Sequence, residues 1–143
     1  MTFRMLTPGY ATSPQIAPAD VPAIREGGFT TVICNRPDGE NPPELSAAAL
    51  RGAVEAAGMT FVDNPVTGGA LTEANVAAQG AAIAAAPGPV FAYCASGNRS
   101  SIVWALSQAG RQPTDALIAA AAAWGYNLEP YRERIEARTT GQG

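Results

Sequence analysis

Four short apolar runs dominate the sequence: Tyr10 to Ser13, Phe29 to Cys34, Thr60 to Val66 and Val90 to Cys94. Each is rich in β-branched or aromatic residues and is too short to be a helix, so each reads as a strand. The segments between them read as helices. Pro18 to Val21 opens a short one that stops at Gly27-Gly28. Glu44 to Ala57 is Ala-rich and closes at Gly58, and a third helix starts from the cap residue Thr72 and runs to about Ala86, before Pro87-Gly88-Pro89. Asn98 to Ala109, Pro113 to Ala123 and Leu128 to Ala137 follow. Strand and helix alternate, which leads to an α/β fold with a mostly parallel sheet and helices on both faces. The first run, Tyr10 to Ser13, reads as an edge strand. With 143 residues, 47% of them hydrophobic, the chain has the size and core of one domain, its packed part running from about residue 5 to 137.

Charge and residue usage narrow the chemistry. All nine basic residues are Arg, net charge is −3, and no basic stripe is present. Nucleic-acid and anionic-membrane binding are therefore not expected. The absence of His removes Ser-His-Asp and Cys-His schemes. Two separated cysteines cannot furnish a zinc site, so neither metal nor cofactor is expected. They also form no disulfide framework, and the N-terminus lacks the apolar run of a signal peptide, which points to the cytoplasm.

Ligands on a parallel sheet sit at the carboxyl ends of its strands. The fourth run ends in Cys94-Ala95-Ser96-Gly97-Asn98-Arg99-Ser100 and then enters a helix. A helix N-terminus presents unpaired N–H groups and partial positive charge. The small residues Ala95, Ser96 and Gly97 let several amides point at one centre, forming a nest for an anion. Arg99 adds a guanidinium that grips two oxygens at once. The same field favours the thiolate of Cys94, the expected nucleophile. Asn98 completes the loop, and Ser100 is placed to donate to the sulfur. Asn35, Arg36, Asp38 and Thr67, at the ends of neighbouring strands, are candidates for the cleft rim, with bracing of neighbouring loop backbone as the other reading of Asn35. For Arg36 an ion pair with Asp38 or Glu40 is the competing reading, and for Thr67 a simple turn role. Cys34 reads as a small buried hydrophobe, with a redox partnership to Cys94 as the lesser alternative. Trp104, Trp124, Tyr126 and Tyr131 read as packing residues of the later helices.

The loop Cys94-x-x-Gly97-x-Arg99-Ser100 resembles the active-site loop of rhodanese-type sulfurtransferases. Taken together, Val32 to Glu40, Pro65 to Gly69, Pro87 to Ser100, Ala109-Gly110-Arg111 and Ala123 to Leu128 resemble the phosphatase-like domain of the beta-lactamase-hydrolase-like proteins. That resemblance implies a three-layer α/β/α fold of the dual-specificity phosphatase type, with the four strands in the order 1-4-2-3 and Cys94 ending a central strand. Members of the family are described as phosphatases or as sulfurtransferases, some fused to a persulfide dioxygenase. They often carry Arg where this chain has Ala95.

Three features bear on the choice between these activities. Four residues separate Cys94 from Arg99, where cysteine phosphatases have five. The loop Thr67-Gly68-Gly69-Ala70 has no carboxylate to act as general acid; Glu73 reads as a helix-dipole residue, Asp63 lies within a strand, and Asp38 or Glu40 would have to serve. Tyr93 stands where many such phosphatases have His. The sequence thus leads to sulfane-sulfur transfer, from thiosulfate or a small persulfide through a Cys94 persulfide to an acceptor thiol. Phosphomonoester hydrolysis through a phosphocysteine is the alternative, and a non-catalytic anion or persulfide sensor is a third reading. The partner in each case is a small sulfur- or phosphorus-containing anion.

Overall fold

The computed structural model describes residues 1–141. Five strands form one sheet: β1 (Arg4–Thr7), β2 (Tyr10–Ser13), β3 (Thr31–Cys34), β4 (Thr60–Asp63) and β5 (Val90–Tyr93), in the order β1-β2-β5-β3-β4. The four expected strands keep the order 1-4-2-3 and are parallel throughout. The fifth corrects the sequence reading. β1 pairs antiparallel with β2 across the Pro8-Gly9 turn, so Tyr10–Ser13 is an interior strand with all four residues buried. β1 escapes notice because only Leu6 of its four residues is buried and Arg4 opens it.

The helices are α1 (Val21–Glu26), α2 (Ala47–Ala56), α3 (Glu73–Ala85), α4 (Asn98–Ser107), α5 (Thr114–Ala122) and α6 (Arg132–Gly141). The segment expected to begin a helix at Glu44 first makes a single 3-10 turn, Pro43–Leu45. The helix then starts after Ser46, whose Oγ accepts the Ala49 amide. Leu128 to Ala137 likewise resolves into a turn at Glu129–Tyr131 and then α6. Thr72 caps α3, its Oγ1 accepting the Asn75 amide at 3.1 Å.

Successive strand residues point to opposite faces, and the two cores follow that alternation. On one face Val32, Phe61, Phe91 and Tyr93 meet Ile24 of α1 and Leu50 and Val54 of α2. On the other, Ile33, Ala92 and Tyr10 meet Val76 of α3, Val103 and Leu106 of α4, Leu117 of α5 and Ile135 of α6. Each such large side chain contributes about 1.5–3 kcal/mol on burial. Trp104 is core, as expected, and its ring stacks on Tyr10 at 5.8 Å. Trp124 is instead 38% exposed, and its Nε1 donates to the Met5 carbonyl, tying α5 to β1.

A polar layer interrupts this core where β3 and β4 end. Gln79 of α3 is fully buried and makes every hydrogen bond its amide allows. Its Nε2 donates to Tyr10 Oη at 3.0 Å and to Asn35 Oδ1 at 3.2 Å. Its Oε1 accepts from Asn35 Nδ2 and Asn64 Nδ2, each at 2.9 Å. Replacing Gln79 by Leu keeps the volume and strands several of these partners in the dry interior. Gln79→Leu is expected to lower the unfolding free energy by about 3 kcal/mol, read from urea denaturation.

Candidate active site

The site is built where β5 runs out. Cys94 still donates its amide to Ser13 of β2, at 3.2 Å, and the chain then turns sharply into α4. The turn is possible because Gly97 adopts φ +96°, a left-handed conformation that disfavours other residues. Two carbonyls of the turn are bonded away from its centre: Ala95 O accepts the Gln15 amide at 3.3 Å and Ser96 O accepts Tyr126 Oη at 2.9 Å. Tyr126 is itself held by Arg4 Nη1, at 2.7 Å. The Gly97 amide donates to Cys94 Sγ at 3.1 Å. The amides of Arg99 and Ser100 stand in the first turn of α4, where no intrahelical acceptor exists. Asn98 is exposed, its amide donating to Ser96 Oγ at 3.2 Å. Cys94 is fully buried, beneath the exposed Ala95 and Ser96.

Arg99 is oriented by a carboxylate. Its Nη1 donates to Glu40 Oε2 at 2.9 Å and to the Val66 carbonyl at 2.8 Å, and its Nη2 donates to Glu40 Oε1 at 2.7 Å. Of five guanidinium protons, three are thereby used. The Nε–H and the second Nη2–H, which together form one bidentate edge, remain for an anion. Hydrogen bonding from Glu40 raises the Arg99 pKa above its ordinary value, and the neighbouring Cys94 sulfur adds to the effect. The Arg99 guanidinium, followed by Arg36, holds the Glu40 carboxyl below the usual carboxylate range, so Glu40 is ionised at neutral pH.

The remaining rim candidates separate. Arg36 forms the ion pair with Glu40, Nε to Oε1 at 3.3 Å, and so helps seat the clamp on Arg99. Thr67 is exposed beside Arg99. Two candidates are not at the rim. Asn35 is fully buried in the Gln79 cluster, because its amide satisfies buried partners on both sides. Asp38 turns away to cap α2, accepting the Ala47 amide at 2.8 Å. Ser100 also departs from the sequence reading: its Oγ donates to Asn35 Oδ1 at 2.9 Å rather than to sulfur, since the hydroxyl lies on the buried side of α4. Cys34 belongs to the α1/α2 core and donates to the Arg36 carbonyl, while burial pushes its thiol up. Asp63 is also raised, by burial and then by Asp38, but it follows Phe61 on the α2 face. Among the described residues no cluster of three or more His, Cys, Asp or Glu side chains is placed to hold a metal ion.

Sequence reasoning did not find Glu40's hold on Arg99, the brace from Tyr126, or Gln79. A Cβ at Gly97 would run into the Tyr126 hydroxyl as well as forcing the left-handed turn on a residue that resists it. Gly97→Ala is expected to cost roughly 1–3 kcal/mol of stability, measurable by chemical denaturation, because strain and collision act together.

A curated Beta-lactamase hydrolase-like protein of Agrobacterium fabrum is 40% identical over 91 residues, 64% of this chain, which spans 21% of that protein's length. A Neisseria meningitidis crystal structure, provisionally named a phosphatase, is 36% identical with a TM-score of 0.82, covering 96% of this chain and 99% of that one. P. aeruginosa TpbA, solved with phosphotyrosine, shares the fold at a TM-score of 0.66 and 14% identity, over 94% of this chain and 86% of its own. No helix among the described residues is long and apolar enough to cross a membrane. The family profile for the Beta-lactamase hydrolase-like protein, phosphatase-like domain, matches residues 2–111, and the chain belongs to that family.

Proposed function

We propose that this chain is a cysteine-dependent hydrolase of phosphomonoesters whose leaving group is a phenol. One observation carries the reading: Cys94 Sγ accepts the Gly97 amide at the entrance to α4, beside an Arg99 guanidinium that Glu40 holds in place and that the sulfur influences electrostatically. In the first step the Cys94 thiolate attacks phosphorus. The S–P bond forms as the P–O bond breaks, and the electron pair leaves on the ester oxygen. The equatorial oxygens rest on the loop amides and Arg99. Water then attacks phosphorus, the S–P bond breaks, and the thiolate is regenerated with release of phosphate. The phosphatase names and phosphotyrosine complex among the fold relatives support this reading.

The leaving group follows from what the site lacks. Glu40 is held ionised by Arg99 and Arg36, Asp38 caps a helix, and Asp63 sits on the other face of the sheet. None of these carboxyls is placed to protonate a departing oxygen. A phenolate departs unaided far more readily than an alkoxide, since a phenol ionises near pH ~10. Phenyl phosphate is expected to be turned over at least ~100-fold faster than an alkyl phosphate, with Cys94→Ser inactive on both. Comparable rates on the two substrates would refute the reading.

Glu40 acts in this scheme by orienting Arg99. Glu40→Gln keeps the shape and loses the charge that fixes the guanidinium. The expected result is a roughly 10- to 100-fold fall in kcat on phenyl phosphate with a smaller change in KM, from steady-state kinetics.

A second reading, transfer of sulfane sulfur through a Cys94 persulfide, is favoured by the four-residue spacing and by the same missing acid, because sulfite or a thiolate departs without protonation. Intact mass after incubation with thiosulfate or glutathione persulfide separates the two. A one-sulfur adduct on Cys94 without phosphate release from aryl phosphates would favour it.

A further inference from the structure

Beside Arg99 lies a cavity of about 130 Å³, lined by Val66, Thr67, Leu71, Ile102, Tyr131 and Arg134 with Arg99. Its walls come from the loop after β4, from α4 and from the start of α6. Four of them are apolar, and an apolar space of this size suits a six-membered ring, since a cavity of ~150 Å³ is enough for benzene. Tyr131, read from the sequence as a packing residue, packs on the core and also forms one wall.

Arg134 makes the cavity selective. It is half-buried, and its Nη2 donates one hydrogen bond, to the Leu71 carbonyl at 3.2 Å. Among the described residues no carboxylate lies within 4.0 Å of it, a property it shares with Arg4, Arg25 and Arg111, whereas Arg36, Arg51, Arg99, Arg132 and Arg138 each pair with one; of the unpaired four, Arg134 alone lines the cavity that Arg99 lines. A guanidinium partly removed from water with most of its donors unused favours an anion. Arg99 and Arg134 thus border a single apolar slot, each able to hold a negative group.

We infer that this slot is the leaving-group subsite, and that its ligand is an aromatic ring bearing the reacting phosphoryl group at the Arg99 end and a second anionic group, such as a carboxylate, at Arg134. This rests on the phosphatase reading and adds the identity of the leaving group. The Cys94→Ser protein, which binds without turnover, tests it by calorimetry with phenyl phosphate, 4-carboxyphenyl phosphate and 4-(aminomethyl)phenyl phosphate. The carboxylated ester is expected to bind roughly 10-fold tighter than phenyl phosphate, and the cationic ester more weakly. In the double variant with Arg134→Gln the ratio of carboxylated to plain ester should fall to near one, with thermal unfolding reporting that the fold is kept. Equal affinities for the three esters, or a preference that survives Arg134→Gln, overturns the inference. If the wild type still hydrolyses phenyl phosphate in that case, the phosphatase reading stands and the subsite alone is lost. Failure of all three esters to bind, with no hydrolysis, removes both.

Discussion

The hydrogen-bonded cluster around Gln79 is the constraint on which the site's geometry depends. Gln79 from α3 joins Tyr10 from β2, Asn35 after β3 and Asn64 after β4. Tyr10 Oη then donates to the Ser100 carbonyl at 2.8 Å, and Asn35 accepts the Ser100 hydroxyl. The first turn of α4 is thereby tied directly to β2 and to the residue after β3. A purely apolar layer would fill the same space but would set neither the rotation nor the depth of α4, because hydrophobic contact is non-directional. The Gly97 amide that meets the Cys94 sulfur stands at the N-cap of that helix, so the placement of the turn is inherited from the buried amides behind it. Such a network is stabilising only when complete, and Gln79 has all four of its bonds.

A second constraint acts from the opposite side. Arg99 is long and flexible, and alone it would sample many positions. Glu40 and the Val66 carbonyl remove that freedom, and Arg36 and Gln15 hold the segment that carries Glu40. Under the proposed function this carboxylate positions a cation that would bind an anion, the two partners contacting different edges of a planar group, which a lysine ammonium could not offer.

The sequence displayed what depends on near neighbours. Strand and helix alternation showed in the apolar runs, and the loop from Cys94 to Ser100 was readable because its residues are contiguous. What was hidden depends on pairs distant in the chain. Arg99 meets Glu40 across 59 positions, and Tyr126 meets Ser96 across 30. No local pattern marks either partner. Asn35 was read as a candidate for the rim and Ser100 as a donor to the sulfur, yet Asn35 turns inward to Gln79 and Ser100 donates to Asn35. Gln79 itself left a trace: it shares the inward face of α3 with Val76, three residues earlier, and is the one polar side chain there that is fully buried. A polar residue at an apolar position of a helix is a sign that a buried partner exists. β1 was missed for the opposite reason, since a hairpin strand with one buried residue carries too little periodicity to be seen.

The chemistry open to the site is set as much by what is absent as by what converges there. Without histidine, and with its nearby carboxyls engaged elsewhere, proton transfer to a leaving group has no obvious agent. The charge that develops on the transferring group must be met by main-chain amides and one guanidinium, and the charge on the departing atom by that atom's own stability. Selectivity then moves from acid catalysis to the binding of the leaving group. A cavity lined by four apolar side chains together with Arg99 and Arg134 fits that division. Apolar walls add area without distinguishing one ring from another, whereas the charge at Arg134 discriminates by sign. In a net-negative protein whose basic side chains are all arginines, Arg134, with no carboxylate partner among the described residues and lining the cavity that Arg99 also lines, marks where a second anionic group would rest.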